Sequence, residues 1–190
     1  LYSAAGSVTQ TNSNDKDNKS GEAIRSLELV VTAATGVTLG SIETSYLDVQ
    51  NTGTGSINLG VNAVRTGARL SSTQITGDVN IVRLAQTSAS GGDISLSTLG
   101  GSITVMSGTV DTGADATHLL LDDNVAASVT NPATGAGLGD ISLNAQGSGE
   151  DILVKMDVTS VGALTLTAAD AITTQSGIDL TATGANSAVS

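Results

Sequence analysis

Apolar and polar residues alternate in short runs along most of this chain. Asp93-Ile94-Ser95-Leu96 and Asp140-Ile141-Ser142-Leu143 spell one phrase twice, each copy following a glycine. Looser versions are Gly55-Ser56-Ile57-Asn58-Leu59, Gly77-Asp78-Val79-Asn80-Ile81 and Gly101-Ser102-Ile103-Thr104-Val105. Further along come Glu150-Asp151-Ile152-Leu153-Val154, Gly162-Ala163-Leu164-Thr165-Leu166 and Gly177-Ile178-Asp179-Leu180. Side chains of a β-strand point to opposite faces in turn, so this period of two predicts short strands, each with one buried and one wet face. Leu27–Val31, Val37–Leu39, Tyr46–Val49, Ile81–Leu84, Leu119–Leu121 and Ala171–Thr173 read the same way. No apolar stripe at helical spacing lasts two turns, and Ala168–Ala171 reads as a turn.

A strand launched from a turn and repeated along a chain is the mark of stacked β architecture. From Ile57 to Val79 is 22 residues, from Val79 to Ile94 is 15, and from Ile94 to Ile103 is 9. Gaps of about ten suit strands within one coil, and gaps near twenty suit equivalent strands on successive coils. The 47 residues from Ile94 to Ile141 call for insertions, expected at Thr109–Thr117 and Ala126–Leu138. The expected fold is all-β, a right-handed parallel β-helix over residues 26–184. Residues 1–25 form a polar flank or linker, because Thr11–Ser20 is an unbroken polar run, and 185–190 form a tail or a continuation. At about twenty residues per coil the shaft has about eight turns and a length of roughly 35–40 Å. The alternative is an antiparallel β-sandwich of a surface stalk, or a pilin-like module.

Composition favours the coil. The chain has no Cys, Trp or Phe, two Tyr and one Pro, and is 39% hydrophobic but 1% aromatic. An aliphatic core without rings has to be thin. The formal net charge is −11, and from residue 84 onward eleven acids face a single base, Lys155. Nucleic acid and anionic lipid are poor partners for such a surface. No apolar run approaches the roughly 18 residues that span a bilayer, so no membrane insertion is expected.

Candidate chemistry is sparse. His118 is the one histidine, with no Cys or second His to share a metal and no Gly-x-Ser-x-Gly elbow to serve a triad. Paired carboxylates at Asp122-Asp123, Glu150-Asp151 and Asp78/Asp93/Asp140 have the form of a glycan-cleaving groove, yet two tyrosines cannot line one. A carboxylate that begins a strand phrase has a structural use: at a turn it accepts backbone N–H bonds. Calcium is the ion best suited to the oxygen-dense Asp111–Asp115 and Asp122–Asn124, but Ser13–Asp17 fails the EF-hand pattern and Gly135–Asp140 is a lone echo of a calcium β-roll. Gly91-Gly92 and Gly100-Gly101 precede no helix and form no phosphate cradle. Thr165/Thr167 and Thr181/Thr183 are isolated pairs, not an ice-binding ladder. No catalytic, cofactor-binding or metal residue is assigned.

The stretch Gly92-Asp93-Ile94-Ser95-Leu96-Ser97-Thr98-Leu99-Gly100-Gly101-Ser102-Ile103-Thr104-Val105 resembles the repeats of filamentous-haemagglutinin-like exoproteins and related autotransported adhesins. The Asn-Pro-Asn-Gly motif of that family's secretion domain is not matched, since the only Pro lies in Asn131-Pro132-Ala133. The resemblance, over residues 26–184, implies a parallel β-helix, an extracellular or cell-surface location and an adhesive or structural role. The functional expectation is a non-catalytic shaft without a cofactor. It self-associates into filaments through open coil ends, or meets other surface proteins or host and matrix glycans. The alternatives are a carbohydrate-active β-helix enzyme and a calcium-stiffened adhesion module.

Overall fold

A computed structural model describes residues 1–10, 24–61, 77–107, 109–110, 125–135, 138–184 and 188–190. Among these residues the secondary structure is all β, with no helix. In chain order the strands are β1 (Val8–Thr9), β2 (Ile24–Ala33), β3 (Val37–Asn51), β4 (Gly55–Val61), β5 (Val79–Gln86), β6 (Gly91–Thr98), β7 (Ile103–Val105), β8 (Thr109–Val110), β9 (Val125–Ala126) and β10 (Ser128–Asn131). They continue as β11 (Ile141–Ala145), β12 (Ile152–Val154), β13 (Val158–Ser160), β14 (Leu164–Ala168), β15 (Ile172–Thr174) and β16 (Leu180–Ala182). Fourteen strands make one sheet in which every ladder is parallel; only β8 and β9 pair antiparallel, as a separate two-stranded piece. An antiparallel sandwich would require the opposite ladders.

The registers sort the strands into three lanes. Lane one stacks β1, the first half of β3, β4, β6, β11 and β14. Lane two stacks the start of β5 with β7, β12 and β15. Lane three stacks the second halves of β2, β3 and β5 with β10, β13 and β16. The chain visits the lanes in order and returns to lane one, so each pass lies on the one before.

Identical phrases stack because parallel register puts like on like. Val37, Ile57, Ile94, Ile141 and Leu164 form one inward row of lane one, and Leu39, Leu59, Leu96, Leu143 and Leu166 form the next. All ten are buried. Lane two contributes Val79, Ile103 and Ile152, and lane three contributes Val31, Val49, Leu84, Val129 and Val158. Each fully buried aliphatic side chain stabilises the fold by about 1.5–3 kcal/mol through water exclusion. The outward positions between them, such as Ser95, Ser142 and Thr165, are half-exposed.

Where passes cross at close range, only glycine fits. A Cβ on Gly101 would run into the carbonyl of Gly77 on the preceding pass. Gly55 has φ of 84° and faces the Thr35 carbonyl just as closely, so it is constrained both by conformation and by space.

Three sequence readings change. Val37–Leu39 and Tyr46–Val49 belong to one strand, β3, which slips register between Leu39 and Ile42 and so turns from lane one towards lane three without breaking. The expected insertion Ala126–Leu138 contains β10, whose Val129 and Asn131 are buried in lane three. The segment Ala171–Thr173 contributes to β15, but Ile172–Thr174 is exposed, since no described strand covers its far side. Leu119–Leu121 and most of Thr109–Thr117 lie outside the described residues. At the start of the chain Val8–Thr9 pairs with Val37–Thr38, and Tyr2 bridges to Thr32.

Candidate functional site

Two ladders of polar side chains run along the stack, and both connect one pass to the next. The first uses the residue that leads each strand. In lane one the Ser56 hydroxyl accepts the Asp93 N–H (3.2 Å), Asp93 Oδ1 accepts the Asp140 N–H (3.2 Å), and Asp140 Oδ1 accepts the Ala163 N–H (2.7 Å). Lane two repeats the device. Asp78 Oδ1 accepts the Ser102 N–H (2.9 Å), Ser102 Oγ accepts the Asp151 N–H (2.9 Å), and Asp151 Oδ1 accepts the Ala171 N–H (2.9 Å). In lane three Asp157 Oδ1 accepts the Asp179 N–H at 2.8 Å. The carboxylate thus serves a backbone donor that the β-ladder leaves over at the start of a strand. The sequence reading has these acids accept backbone N–H groups, as they do; the donors lie 20 to 47 residues further on, which the reading did not specify.

The second ladder sits at the corner where lane three turns back to lane one, and sequence reasoning missed it. Asn51, Gln86, Asn131 and Ser160 are each buried at 1% exposure or less, at the last inward position of β3, β5, β10 and β13. Asn51 Nδ2 donates to Gln86 Oε1 (2.8 Å) and to the carbonyls of Thr54 and Gly55, while Asn51 Oδ1 accepts the Gly36 N–H. Gln86 Nε2 donates to the carbonyls of Gly55 (2.8 Å) and Gly92 (3.2 Å). Asn131 Nδ2 donates to those of Gly92 (3.1 Å) and Asp140 (2.9 Å), and Asn131 Oδ1 accepts the Ala133 N–H at 3.2 Å. Ser160 Oγ donates to the Gly162 carbonyl. Amides suit the place because a tight corner orphans both N–H and C=O groups, and a primary amide offers a donor and an acceptor together. The available signal is the recurrent ending apolar-x-amide or hydroxyl: Val49-Gln50-Asn51, Leu84-Ala85-Gln86, Val129-Thr130-Asn131 and Val158-Thr159-Ser160.

An ion pair joins neighbouring passes. Arg83 and Asp48 are register partners, and the guanidinium grips the carboxylate with two parallel bonds, Nε–Oδ1 2.6 Å and Nη2–Oδ2 2.8 Å. Asp48 is 2% exposed and the Arg83 side chain 28%. The fork geometry and one buried partner make this stronger than a surface pair.

The proposed carboxylate groupings separate accordingly. Asp78 lies in lane two while Asp93 and Asp140 stack in lane one, and all three serve the strand-leading ladder. Glu150 Oε2 accepts the Ser102 hydroxyl at 3.0 Å, next to Asp151 in that ladder. Among the described residues no cluster of three or more His, Cys, Asp or Glu is arranged to hold a metal. His118, Asp111–Asp115, Asp122–Asn124 and Ser13–Asp17 lie outside the described residues. Gly92 faces the Ser56 hydroxyl and Gly101 the Gly77 backbone, so these Gly-Gly pairs are contact points between passes.

The chain matches no protein-family model, no curated protein and no solved structure.

Proposed function

We propose that this chain is a right-handed parallel β-helix serving as a non-catalytic shaft or adhesive segment of a secreted or surface-attached bacterial protein. Support for the coil is the three-lane order, in which each return to lane one adds a parallel strand beside the previous one. Parallel crossovers of this kind are right-handed in nearly all proteins, which supports that hand. The observation that carries the functional reading is the use of polar side chains. Asp78, Asp93, Asp140, Asp151 and Asp157 spend an oxygen on the backbone of the next pass, and Asn51, Gln86 and Asn131 are buried in corners. Groups committed in this way hold the scaffold and are poor candidates for acid–base work on a substrate.

The test joins shape with activity. Electron microscopy is expected to show a rod of constant width, and incubation with acidic polysaccharides is expected to release no new reducing ends or unsaturated products. A globular bead would overturn the shaft, and product release would overturn the non-catalytic assignment in favour of a carbohydrate-active enzyme.

A further inference from the structure

β3 and β5 pass from lane two to lane three side by side, but with unequal lengths of chain. In β3 a single residue, Asp48, separates the buried Leu47 from the buried Val49. In β5 two residues, Val82 and Arg83, separate the buried Ile81 from the buried Leu84. The ladder matches Leu47 with Ile81 and Val49 with Leu84, so one residue of β5 has no counterpart in β3. That residue is Val82, and Arg83 is the register partner of Asp48.

Apolar burial does not make this choice. If Val82 stood opposite Asp48 and Arg83 were the extra residue, Ile81 would still lie on Leu47 and Leu84 on Val49. The inward rows would be the same, because a bulge on either residue restores the alternation that one extra residue upsets. The two placements differ at Asp48. It is 2% exposed, and Arg83 meets it with two parallel bonds, Nε–Oδ1 and Nη2–Oδ2. Valine in that place has no donor to give, and a carboxylate buried without one is costly.

We infer that the Asp48–Arg83 pair is a register selector. It decides which of two adjacent residues bulges, where the aliphatic rows accept either. Its role is to leave one arrangement populated, which is separate from its contribution to stability. Losing a charge-assisted contact of this kind changes an equilibrium by roughly a hundredfold, so the unselected placement lies near or below about 1% in the intact chain.

Exchanging the two corner residues, Val82→Arg with Arg83→Val, tests this by amide NMR of the whole chain. The bulge is expected to move with the arginine. Position 82 then shows the cross-strand contacts to position 48, and position 83 loses them. A bulge that stays at position 82, or a chain that no longer folds, would overturn the proposal, since the apolar rows are held to accept both placements. Asp48→Leu with Arg83→Met removes the selector and keeps side-chain bulk. Two sets of signals are expected at positions 48–49 and 82–84, the minor one at about a tenth or more, with a single set at Ile141–Ala145 in lane one. A single set at the corner with the native contacts between positions 83 and 48 would show that the pair selects nothing.

Discussion

Asn131→Ala tests whether the corner amides hold the stack together. The side chain makes three bonds from a position 1% exposed: to the carbonyls of Gly92 and Asp140, and from the Ala133 N–H. The three groups left behind are not equal. The Gly92 carbonyl keeps the Gln86 amide, and the Asp140 carbonyl keeps the Ile94 N–H. Each of these loses a second bond, about 0.5–1 kcal/mol apiece. Ala133 is buried, and its N–H loses the acceptor it has in Asn131, which costs about 1–3 kcal/mol. The sum is about 3 kcal/mol, and for a chain of this size it lowers Tm by roughly 6–12 °C. Urea titration followed by circular dichroism measures it, with Thr130→Ala as the control. Thr130 is the adjacent, half-exposed position, and its truncation is expected to stay within about 0.5 kcal/mol. A loss below about 1 kcal/mol for Asn131→Ala, or one no larger than the control, would refute the reasoning. The corner would then be held by backbone conformation alone.

Two further outcomes follow from the core and the ion pair. Ile141→Ala, at a site with no exposure between Ile94 and Leu164, is expected to cost about 3–4 kcal/mol in the same titration, with Ile141→Val costing about 1 kcal/mol. Arg83→Met strands the buried Asp48 carboxylate and is expected to destabilise by about 2 kcal/mol or more, whereas the double change Arg83→Met with Asp48→Leu recovers most of the loss; a double variant as unstable as the sum of its singles would show that the pair is not coupled.

The apolar rows were open to reading because parallel stacking repeats like residues at like positions: the two Asp-Ile-Ser-Leu phrases are register partners in β6 and β11. The corner ladder was hidden for the converse reason. Asn51, Gln86 and Asn131 face inward, where a period-two reading expects an aliphatic side chain, so the segments ending at Val49 and Leu84 stop two residues short of the ends of β3 and β5. This also explains the misreading of β10, which has four residues and only one buried aliphatic, Val129. The two segments Val37–Leu39 and Tyr46–Val49 flank a register irregularity between Leu39 and Ile42 that lies inside one continuing strand. The strand-leading acids were recognised by type, and their partners were not, because a bond from Asp93 to Asp140 spans 47 residues and leaves no trace in local sequence.

Parallel ladders point their hydrogen bonds from pass to pass, so the molecule has a mechanical grain. In the coil proposed above, tension along the stack loads the ladders in series, one rung after another. Traction across the stack instead loads a whole lane of bonds together. A fibre woven from such units would stretch gradually along one axis and resist sharply along the others.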